Sequence, residues 1–424
     1  MLDELAARGL FQECTDRTGL GELLATSAPV AVYAGFDPTS ESLHVGNLVP
    51  AILLKRFQLA GHRPVIVVGG ATGMIGDPSG KSAERNLLDE TTLAKNVAGI
   101  HAQLARLMDF NPSPTGAVMT NNYDWTRGVT YLDFLRDYGK YLTVNYMTAK
   151  DSVESRLSGE TGISYTEFSY MLLQAFDFVK LAETHACRVQ VGGSDQYGNI
   201  TAGCELQRKM GRQQLFGWVA PLLLDSTGQK MGKTSTGERV WLDAEKTSPF
   251  AFYQYFLNRT DEEVPRLLKM FSTEPLGRIE DVLREHETDR AKRIAQKELA
   301  RAMTAWVHGA TSIAAIEASA GDMFGGDLAK LSDAQLADMG GTVPSHDVPR
   351  SELEAGIAWI DLLVRVGLAT SKSEARRAIE QKGAYINDAV VADVAKRVTL
   401  ADLLTETRLV VRRGKKNYRI VHVV

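Results

Sequence analysis

The sequence predicts an α/β protein: a Rossmann-like, doubly wound parallel sheet, followed by an α-helical domain and a small α+β module. Three observations support this class. Strand-like and helix-like segments alternate through the first half of the chain, helix-periodic segments follow Ser248, and the last segment is short and basic with strand-like pieces. Alternating strands and helices imply βαβ units, in which right-handed crossovers join parallel strands.

The first βαβ unit begins with a buried strand from Val30 to Phe36. A helix from Val45 to Ala60 follows it, and Pro64 to Val68 forms the second buried strand. The pattern continues to about Leu224, and we expect ligands beyond the carboxyl ends of the strands. The later elements are a helix from about Thr91 to Met108, a strand from Ala117 to Met119, helices near Tyr131 and Thr166, a strand from Arg188 to Val191 and a helix near Ile200.

The chain is long enough for two to four domains, and its composition changes along its length. We predict a Rossmann-like catalytic domain over 1–247, an α-helical domain over 248–318, a linker over 319–350 and a basic module over 351–424. In the module, strand-like pieces cover 384–386, 407–411 and 418–424, with a basic turn at 412–416. The module carries 13 Lys and Arg against 9 Asp and Glu, which favours a polyanionic partner.

Composition also excludes several classes of protein. Hydrophobic residues make up 44% of the 424 residues and charged residues 24%, as in soluble globular proteins. Cys14, Cys187 and Cys204 are far apart and match no metal-binding spacing, so we expect reduced thiols, no protein-bound metal or prosthetic group, and a cytoplasmic location. The acidic N-terminus does not resemble a signal peptide, and no apolar run is long enough to span a membrane.

Two short motifs about 190 residues apart point to a nucleotide site. His44-Val45-Gly46-Asn47 follows the first strand and opens a helix, whose free N–H groups and positive dipole end suit a phosphate. Lys230-Met231-Gly232-Lys233-Thr234 lies in a Gly-rich stretch, where two ammonium groups can neutralise a pyrophosphate leaving group. Taken singly, His44 could simply cap its helix, and the lysines could be solvated surface.

A third basic feature is the segment 76–81, Gly-Asp-Pro-Ser-Gly-Lys, followed by Arg85. Its glycines and basic side chains are typical of a loop that contacts phosphate. It lacks the spacing of a Walker A motif, in which four residues separate Gly from Gly-Lys-Ser/Thr.

A polar stripe on one predicted helix indicates a site for a polar ligand. Tyr170, Gln174 and Asp177 follow the spacing i, i+4, i+7 in an otherwise apolar segment, which places them on one helix face. Burying these groups without a partner would be costly, and a bound ligand would supply the partner. Periodicity alone equally allows a stripe that faces solvent, which the nearby Glu167 would favour.

Several further stretches match one known family when they are taken together. They are 33–39 (YAGFDPT), 44–47 (HVGN), 69–78 (GGATGMIGDP), 121–125 (NNYDW), the helix around Tyr170, 192–199 (GGSDQYGN) and 230–234 (KMGKT). With these stretches the chain resembles the bacterial-type tyrosyl-tRNA synthetases, a family of class I aminoacyl-tRNA synthetases, over nearly its whole length. Asn47 departs from the usual signature, which has a second His there.

The resemblance implies roles for seven residues around the amino-acid substrate. They would bind its phenol hydroxyl, its α-ammonium group and its carboxylate end. Tyr33 and Asp177 would bind the phenol hydroxyl. Asp77, Tyr170 and Gln174 would bind the α-ammonium group. Asp37 and Gln196 would help place the amino acid and its carboxylate.

It also implies two groups of residues around ATP. The first group contacts the nucleotide itself, with Asp195 on the ribose, and the second closes over the pyrophosphate. The first comprises Gly35, Thr39, His44, Gly46, Asn47, Gly192, Asp195 and Met231; the second comprises Lys81, Arg85, Lys230, Lys233 and Thr234.

The implied activity is ATP-dependent activation of tyrosine, with Mg²⁺ accompanying ATP, followed by transfer to tRNA(Tyr) by a homodimer. The interface is expected between Tyr131 and Thr166. Three alternatives are a tryptophanyl-tRNA synthetase, a small nucleotidyltransferase and a non-catalytic RNA-binding protein derived from a synthetase.

The basic tail resembles an RNA-binding module, and its predicted phosphate contacts are Arg376, Arg377, Arg412, Arg413, Lys415 and Lys416.

Overall fold

A computed structural model describes residues 1–79, 89–159, 162–233, 237–415 and 417–424 of the chain. These residues form two compact units. The first comprises Met1–Asp243 with Arg259–Ala302, and the second comprises Ala244–Asn258 with Met303–Val424. The segment predicted as the α-helical domain therefore contributes to both units.

The first unit is built on a six-stranded sheet. Five strands are parallel, as predicted, and the first strand pairs antiparallel at one edge. That edge strand has only two residues, too few for an alternating pattern, so the sequence does not predict it. The strands are β1 Glu13–Cys14, β2 Ala31–Phe36, β3 Arg63–Val68, β4 Val118–Asn121, β5 Cys187–Gly193 and β6 Phe216–Ala220, in the spatial order β1-β6-β5-β2-β3-β4.

Helices connect these strands and pack against them. This packing buries the apolar runs from which the strands were predicted. Val65 and Ile66 of β3, for example, are fully buried. Within the described parts of the chain, no helix combines the length and apolar character that a membrane crossing requires. The helices are α1 Leu2–Ala7, α2 Arg17–Thr26, α3 Leu48–Leu59, α4 Thr72–Ile75, α5 Glu90–Leu107, α6 Tyr123–Thr126, α7 Tyr131–Asp137, α8 Val144–Thr148, α9 Asp151–Leu157, α10 Tyr165–His185 and α11 Tyr197–Lys209.

The chain order of the sheet reverses at β2, which is hydrogen-bonded to β3 on one side and to β5 on the other. Crossovers that leave in opposite directions open a crevice at the carboxyl ends of such neighbouring strands, where ligands of doubly wound folds bind. The sheet therefore predicts a binding site just beyond Phe36 and Gly193.

The rest of the chain is mainly helical up to Asp338, and strands follow from Ser345. As predicted, helices cover the segment after Ser248. The elements are α12 Pro249–Leu257, α13 Val264–Phe271, α14 Leu276–Thr288, α15 Ile294–His308, α16 Ile313–Met323, α17 Asp333–Asp338, β7 Ser345–Val348, α18 Arg350–Ala355, β8 Ile357–Ala358, α19 Trp359–Arg365, α20 Lys372–Glu380, β9 Ala384–Ile386, β10 Ala389–Val390, β11 Arg397–Val398, β12 Arg408–Arg413 and β13 Asn417–Val423.

Strands of the second unit form a five-stranded sheet in the order β10-β9-β12-β13-β7. Two details differ from the predictions. Strand β7 lies inside the predicted linker and pairs in parallel with β13. It was not predicted as a strand because Ser345, His346 and Asp347 are polar and lack the apolar pattern of a strand. Arg412 and Arg413 belong to β12 rather than to the turn, because they pair with Tyr418 and Asn417 across the hairpin.

A buried ion pair joins α9 to α10. Arg156 Nη2 lies 2.8 Å from Glu167 Oε2, and the two side chains are 7% and 3% exposed. The suggestion that Glu167 marks a solvent-facing stripe is therefore wrong. Replacing Glu167 with alanine is expected to lower the free energy of unfolding by about 3–5 kcal/mol, because it leaves a buried guanidinium without its counter-ion. Urea denaturation would measure this change.

Glu287→Ala serves as the matched control. Its ion pair with Arg290 is about half exposed at both ends, and exposed pairs contribute little to stability. Equal destabilisation by both substitutions would contradict the structural role given to the Arg156–Glu167 pair.

Candidate active site

A cavity of about 520 Å³ opens at the carboxyl ends of β2 and β5, where the sheet order reverses. Most of the residues predicted to contact substrate line it, although they come from distant parts of the sequence. From the predicted set, the cavity is lined by Tyr33, Gly35, Asp37, Thr39, His44, Gly46, Asn47, Asp77, Tyr170, Gln174, Asp177, Gly192, Asp195, Gln196, Lys230, Met231 and Lys233. Lys81, Arg85 and Thr234 lie outside the described residues.

One part of the cavity is built around Tyr33 and Asp177, which are both buried. The Tyr33 hydroxyl has no hydrogen-bond partner among the described residues. Burial and the nearby Asp177 raise the pKa of Tyr33, so its hydroxyl keeps its proton and remains a donor. A buried donor of this kind requires an acceptor, which a ligand in the cavity can supply.

Two donors orient the Asp177 carboxyl group. Asn122 Nδ2 donates to Oδ2 at 2.9 Å, and Trp125 Nε1 donates to Oδ1 at 2.8 Å. Burial raises the pKa of Asp177 to about 7, although these two hydrogen bonds oppose the shift. Asp177 therefore titrates near neutral pH, as groups in binding and catalytic sites often do.

A second polar cluster surrounds Asp37 at the end of β2. Tyr170 Oη donates to Asp37 Oδ2 at 2.7 Å, and Thr72 Oγ1 donates to Asp37 Oδ1 at 2.8 Å. Asn122 Nδ2 also donates to Thr72 Oγ1 at 3.0 Å, so a continuous chain of hydrogen bonds links Asp37 with Asp177. Both carboxylates are thereby held in fixed positions.

A third cluster joins Asp77, Gln174 and Gln196 through Asn199. Gln196 Nε2 donates to Asp77 Oδ2 at 2.7 Å, and Asn199 Nδ2 donates to Gln174 Oε1 at 3.1 Å. Asp77 Oδ1 also accepts from the backbone N–H of Ser79 at 2.9 Å. The polar face of α10 therefore faces the cavity, where carboxylate and amide oxygens can accept from a cation.

The His44 turn begins a short 3₁₀ helix that leads into α3. His44 Nδ1 accepts from Gly46 N at 3.0 Å, and Asn47 Oδ1 accepts from His44 N at 3.0 Å. Burial, together with the positive charge of Arg239, lowers the pKa of His44 to about 4. The neutral ring accepts at Nδ1, so its proton is on Nε2, which can donate to a ligand. His44 thus caps its helix and also lines the cavity.

The lysine loop is joined to the His44 turn by backbone hydrogen bonds. Val240 N donates to Gly232 O at 2.9 Å, and Val45 N donates to Val240 O at 3.1 Å. Lys230 Nζ lies 3.9 Å from Asp195 Oδ2, and burial raises the pKa of Asp195 while Lys230 opposes that shift. The two predicted motifs therefore form one side of a single cavity.

Sequence reasoning assigned no role to several residues that build this site. Thr72, Asn122, Trp125 and Asn199 hold the predicted side chains, and Arg239 lines the cavity beside His44. Asn122 and Trp125 stand in a quoted motif directly after β4. A polar residue at the carboxyl end of a parallel strand was the signal that could have identified Asn122.

The structure divides the predicted RNA contacts of the second unit into two groups. Arg376, Arg377 and Lys415 are exposed, and Lys416 lies outside the described residues. Arg412 lies 3.8 Å from the centroid of the Tyr385 ring and pairs with Asp388, and Arg413 pairs with Glu374 at 2.7 Å. Arg412 therefore contacts the neighbouring strand β9, and Arg413 joins β12 to α20.

Comparison with known proteins defines the class of this fold and site. The family model for tRNA synthetases class I (W and Y) matches residues 25–325, and the model for the tyrosine–tRNA ligase SYY-like C-terminal domain matches residues 341–421. The chain belongs to the class I tRNA synthetase family of the W and Y enzymes. Within that family, several relatives that match along the whole chain are tyrosine–tRNA ligases, which confirms the resemblance seen in the sequence.

Two such relatives are the tyrosine–tRNA ligases of Rhodopirellula baltica and Roseiflexus castenholzii. The first is 49% identical, with 100% of this chain and 96% of that protein aligned. The second is 48% identical, with coverage of 100% and 99%. Among solved structures, a C-terminally truncated mitochondrial tyrosyl-tRNA synthetase from Aspergillus nidulans matches with a TM-score of 0.69 at 31% identity, covering 76% of this chain and 94% of that one.

Proposed function

We propose that this chain activates L-tyrosine with ATP and transfers the tyrosyl group to the 3′-terminal adenosine of tRNA(Tyr). The observation that carries the proposal is the pairing of Tyr33 and Asp177 in the cavity. A phenol hydroxyl can accept from Tyr33 Oη and donate to the Asp177 carboxylate at the same time. It therefore satisfies the buried donor that has no partner among the described residues.

The same pair discriminates against other aromatic amino acids. An indole N–H can donate to Asp177 but cannot accept from Tyr33, and a phenyl ring can do neither. Phenylalanine would leave the buried Tyr33 hydroxyl without an acceptor and would supply no donor to Asp177. Tyrosyl-tRNA synthetases are the known example of this kind of rejection.

The other end of the substrate would lie against Asp77, Tyr170 and Gln174, which we assign to the α-ammonium group. The Tyr170 hydroxyl donates a hydrogen bond to Asp37, so the lone pairs of its oxygen can accept a hydrogen bond from that ammonium group. We assign Asp37 and Gln196 to placing the amino acid and its carboxylate. Gln196 can donate to the carboxylate, whereas Asp37 acts through the Tyr170 hydroxyl that donates to it. Fixed positioning of the two reactants supplies a large part of such a rate enhancement.

In the first step, a tyrosine carboxylate oxygen attacks the α-phosphorus of ATP and forms tyrosyl-adenylate. The bond from the α-phosphorus to its bridging oxygen breaks, and pyrophosphate leaves. We propose that His44 Nε2 donates to the phosphates, while Lys230 and Lys233 neutralise the growing charge on the leaving group. ATP would enter as its Mg²⁺ complex, so the metal is part of the substrate.

The remaining predicted contacts are proposed for ATP and for the second step. Asp195 would bind the ribose, and the glycines of the cavity would let the nucleotide approach the backbone. The terminal ribose hydroxyl of tRNA then attacks the adenylate carbonyl and releases AMP. For tRNA phosphates we retain the exposed Arg376, Arg377 and Lys415 as the main contacts. The cytoplasmic location stays a prediction.

The experiment that tests this proposal is ATP–pyrophosphate exchange without tRNA, with tyrosine, phenylalanine or tryptophan as the amino acid. We expect exchange with tyrosine alone. Exchange with tryptophan alone would favour a tryptophanyl-tRNA synthetase. No exchange with any of the three, from folded protein supplied with Mg²⁺, would contradict the catalytic proposal and favour a non-catalytic RNA-binding protein.

The pKa of Asp177 leads to a pH prediction for tyrosine binding. The carboxylate is a much stronger acceptor for the phenol than the protonated acid, so affinity should fall as Asp177 becomes protonated below pH 7. We expect the Kd of tyrosine to be about tenfold higher at pH 6 than at pH 8. Isothermal titration calorimetry at pH 6 in buffers of different ionisation enthalpy should also detect the release of about one proton, from Asp177, for each tyrosine bound. A constant Kd over this range would contradict this role of Asp177.

We also propose a homodimer that uses the predicted interface between Tyr131 and Thr166. Tyr131, Leu132 and Val144 are 62%, 74% and 62% exposed, and large apolar side chains exposed in one segment are common where a partner chain covers them. The Leu132→Asp variant is expected to sediment as a monomer at concentrations where the parent chain is a dimer. Leu59→Asp, at a similarly exposed leucine outside this segment, should leave the dimer intact. A monomeric parent chain would contradict the proposal.

A further inference from the structure

Arg239 is a cation in the cavity that none of the recognised motifs includes. It lies among the residues that line the cavity, and its charge acts on His44. Its guanidinium carbon is 5.6 Å from the centroid of the Trp241 ring, and that ring packs edge-on against His44 with 6.4 Å between centroids. Arg239 therefore belongs to the part of the cavity where the His44 turn meets the lysine loop.

The backbone around Arg239 is held by both motifs. Arg239 lies opposite Lys233 in an antiparallel bridge, and its neighbour Val240 donates to Gly232 O at 2.9 Å. The carbonyl of Val240 accepts from Val45 N at 3.1 Å. These backbone contacts fix the segment on both sides. The Cα atom of Arg239 therefore has a defined position beside the lysine loop.

The charge of Arg239 is not neutralised within the described part of the chain. No carboxylate there forms an ion pair with it, whereas Lys230 lies 3.9 Å from Asp195. An unpaired guanidinium beside a neutral imidazole suits an anionic ligand, and its planar donor fork matches two phosphate oxygens at once. A purely structural role would leave Arg239 stacked on Trp241 without a ligand.

We propose that Arg239 is a further catalytic residue, which binds the β- and γ-phosphates of ATP and the departing pyrophosphate together with Lys233. This inference rests on the proposed tyrosine activation. As the bond to the α-phosphorus breaks, its electron pair moves onto the bridging oxygen, and the guanidinium stabilises that charge. In the reverse direction, Arg239 holds pyrophosphate for attack on tyrosyl-adenylate.

The test compares the Arg239→Gln and Arg239→Lys variants in pyrophosphorolysis of preformed enzyme-bound tyrosyl-adenylate. We expect Arg239→Gln to lower kcat/KM for pyrophosphate about 10- to 100-fold, since it removes a charged donor from the leaving group. Arg239→Lys should recover part of this loss. The Kd of tyrosine and the melting temperature should not change. Arg106→Gln, at an exposed arginine of α5 away from the cavity, is the matched control.

Each result decides between specific alternatives. Wild-type kinetics in Arg239→Gln, or an equal loss of tyrosine affinity, would overturn the assignment of Arg239 to pyrophosphate. A lowered melting temperature that fully accounts for the loss of activity would assign Arg239 a structural role with Trp241. Absence of tyrosine-dependent exchange in the parent chain would instead contradict the proposed function itself, so the two failures are distinguishable.

Discussion

The Asp177→Asn variant is expected to lose about 100- to 10,000-fold in kcat/KM for tyrosine. It removes a hydrogen bond to a charged group, which contributes roughly 1.5–3 kcal/mol, and it leaves a buried donor unsatisfied, which costs about 1–3 kcal/mol more. The carboxylate accepts from Asn122 and Trp125 and would also accept from the substrate phenol. An amide has only one acceptor atom, so its NH₂ group would face a donor. ATP–pyrophosphate exchange at varied tyrosine concentration would measure the loss.

Asp124→Asn provides the matched control for this substitution. Asp124 lies on α6 between Asn122, which lines the cavity, and Trp125, which donates to Asp177, but its own side chain is exposed and does not line the cavity. The control should keep the kinetics of the parent chain. A folded Asp177→Asn variant within tenfold of the parent would refute the phenol-binding role of this carboxylate.

The second large effect is expected for Lys233→Ala. Removing a donor aimed at developing charge typically reduces the rate about 100- to 1,000-fold. Lys233 lines the cavity in the lysine loop, so the loss should appear in the single-turnover rate of adenylate formation. The Kd of tyrosine should stay unchanged, because the residues assigned to the amino acid lie in other clusters.

Lys95→Ala tests whether any lysine on this unit would have such an effect. Lys95 lies on α5 and forms an exposed ion pair with Glu41. It does not line the cavity. Its replacement should leave adenylate formation unchanged. A normal single-turnover rate in Lys233→Ala, or a rise in the Kd of tyrosine as its main defect, would contradict the role in leaving-group stabilisation.

The polar stripe of α10 shows how far the sequence could lead. Helical periodicity correctly predicted that Tyr170, Gln174 and Asp177 share one face, because that spacing is a local property. It could not decide between solvent and cavity, since the answer depends on distant residues such as Asp37 and Asn199 that meet this face only in the folded chain.

The basic tail illustrates the opposite limit. Resemblance to a basic RNA-binding module predicted phosphate contacts at Arg412 and Arg413, but a basic sequence does not show whether a guanidinium already has a partner. In the fold, Asp388, Tyr385 and Glu374 supply those partners from sequence positions some 24 to 39 residues away. Exposed basic residues can be separated from paired ones only when these neighbours are known.

Strand β7 has a consequence for isolating the C-terminal module as an independent fragment. It pairs in parallel with β13 from Ser345 to Val348, and Val424 N donates to Val348 O at 3.1 Å. A fragment that starts at 351 would leave β13 with an unpaired edge, which invites association with other chains. A fragment that begins ahead of Ser345 would retain its own edge strand.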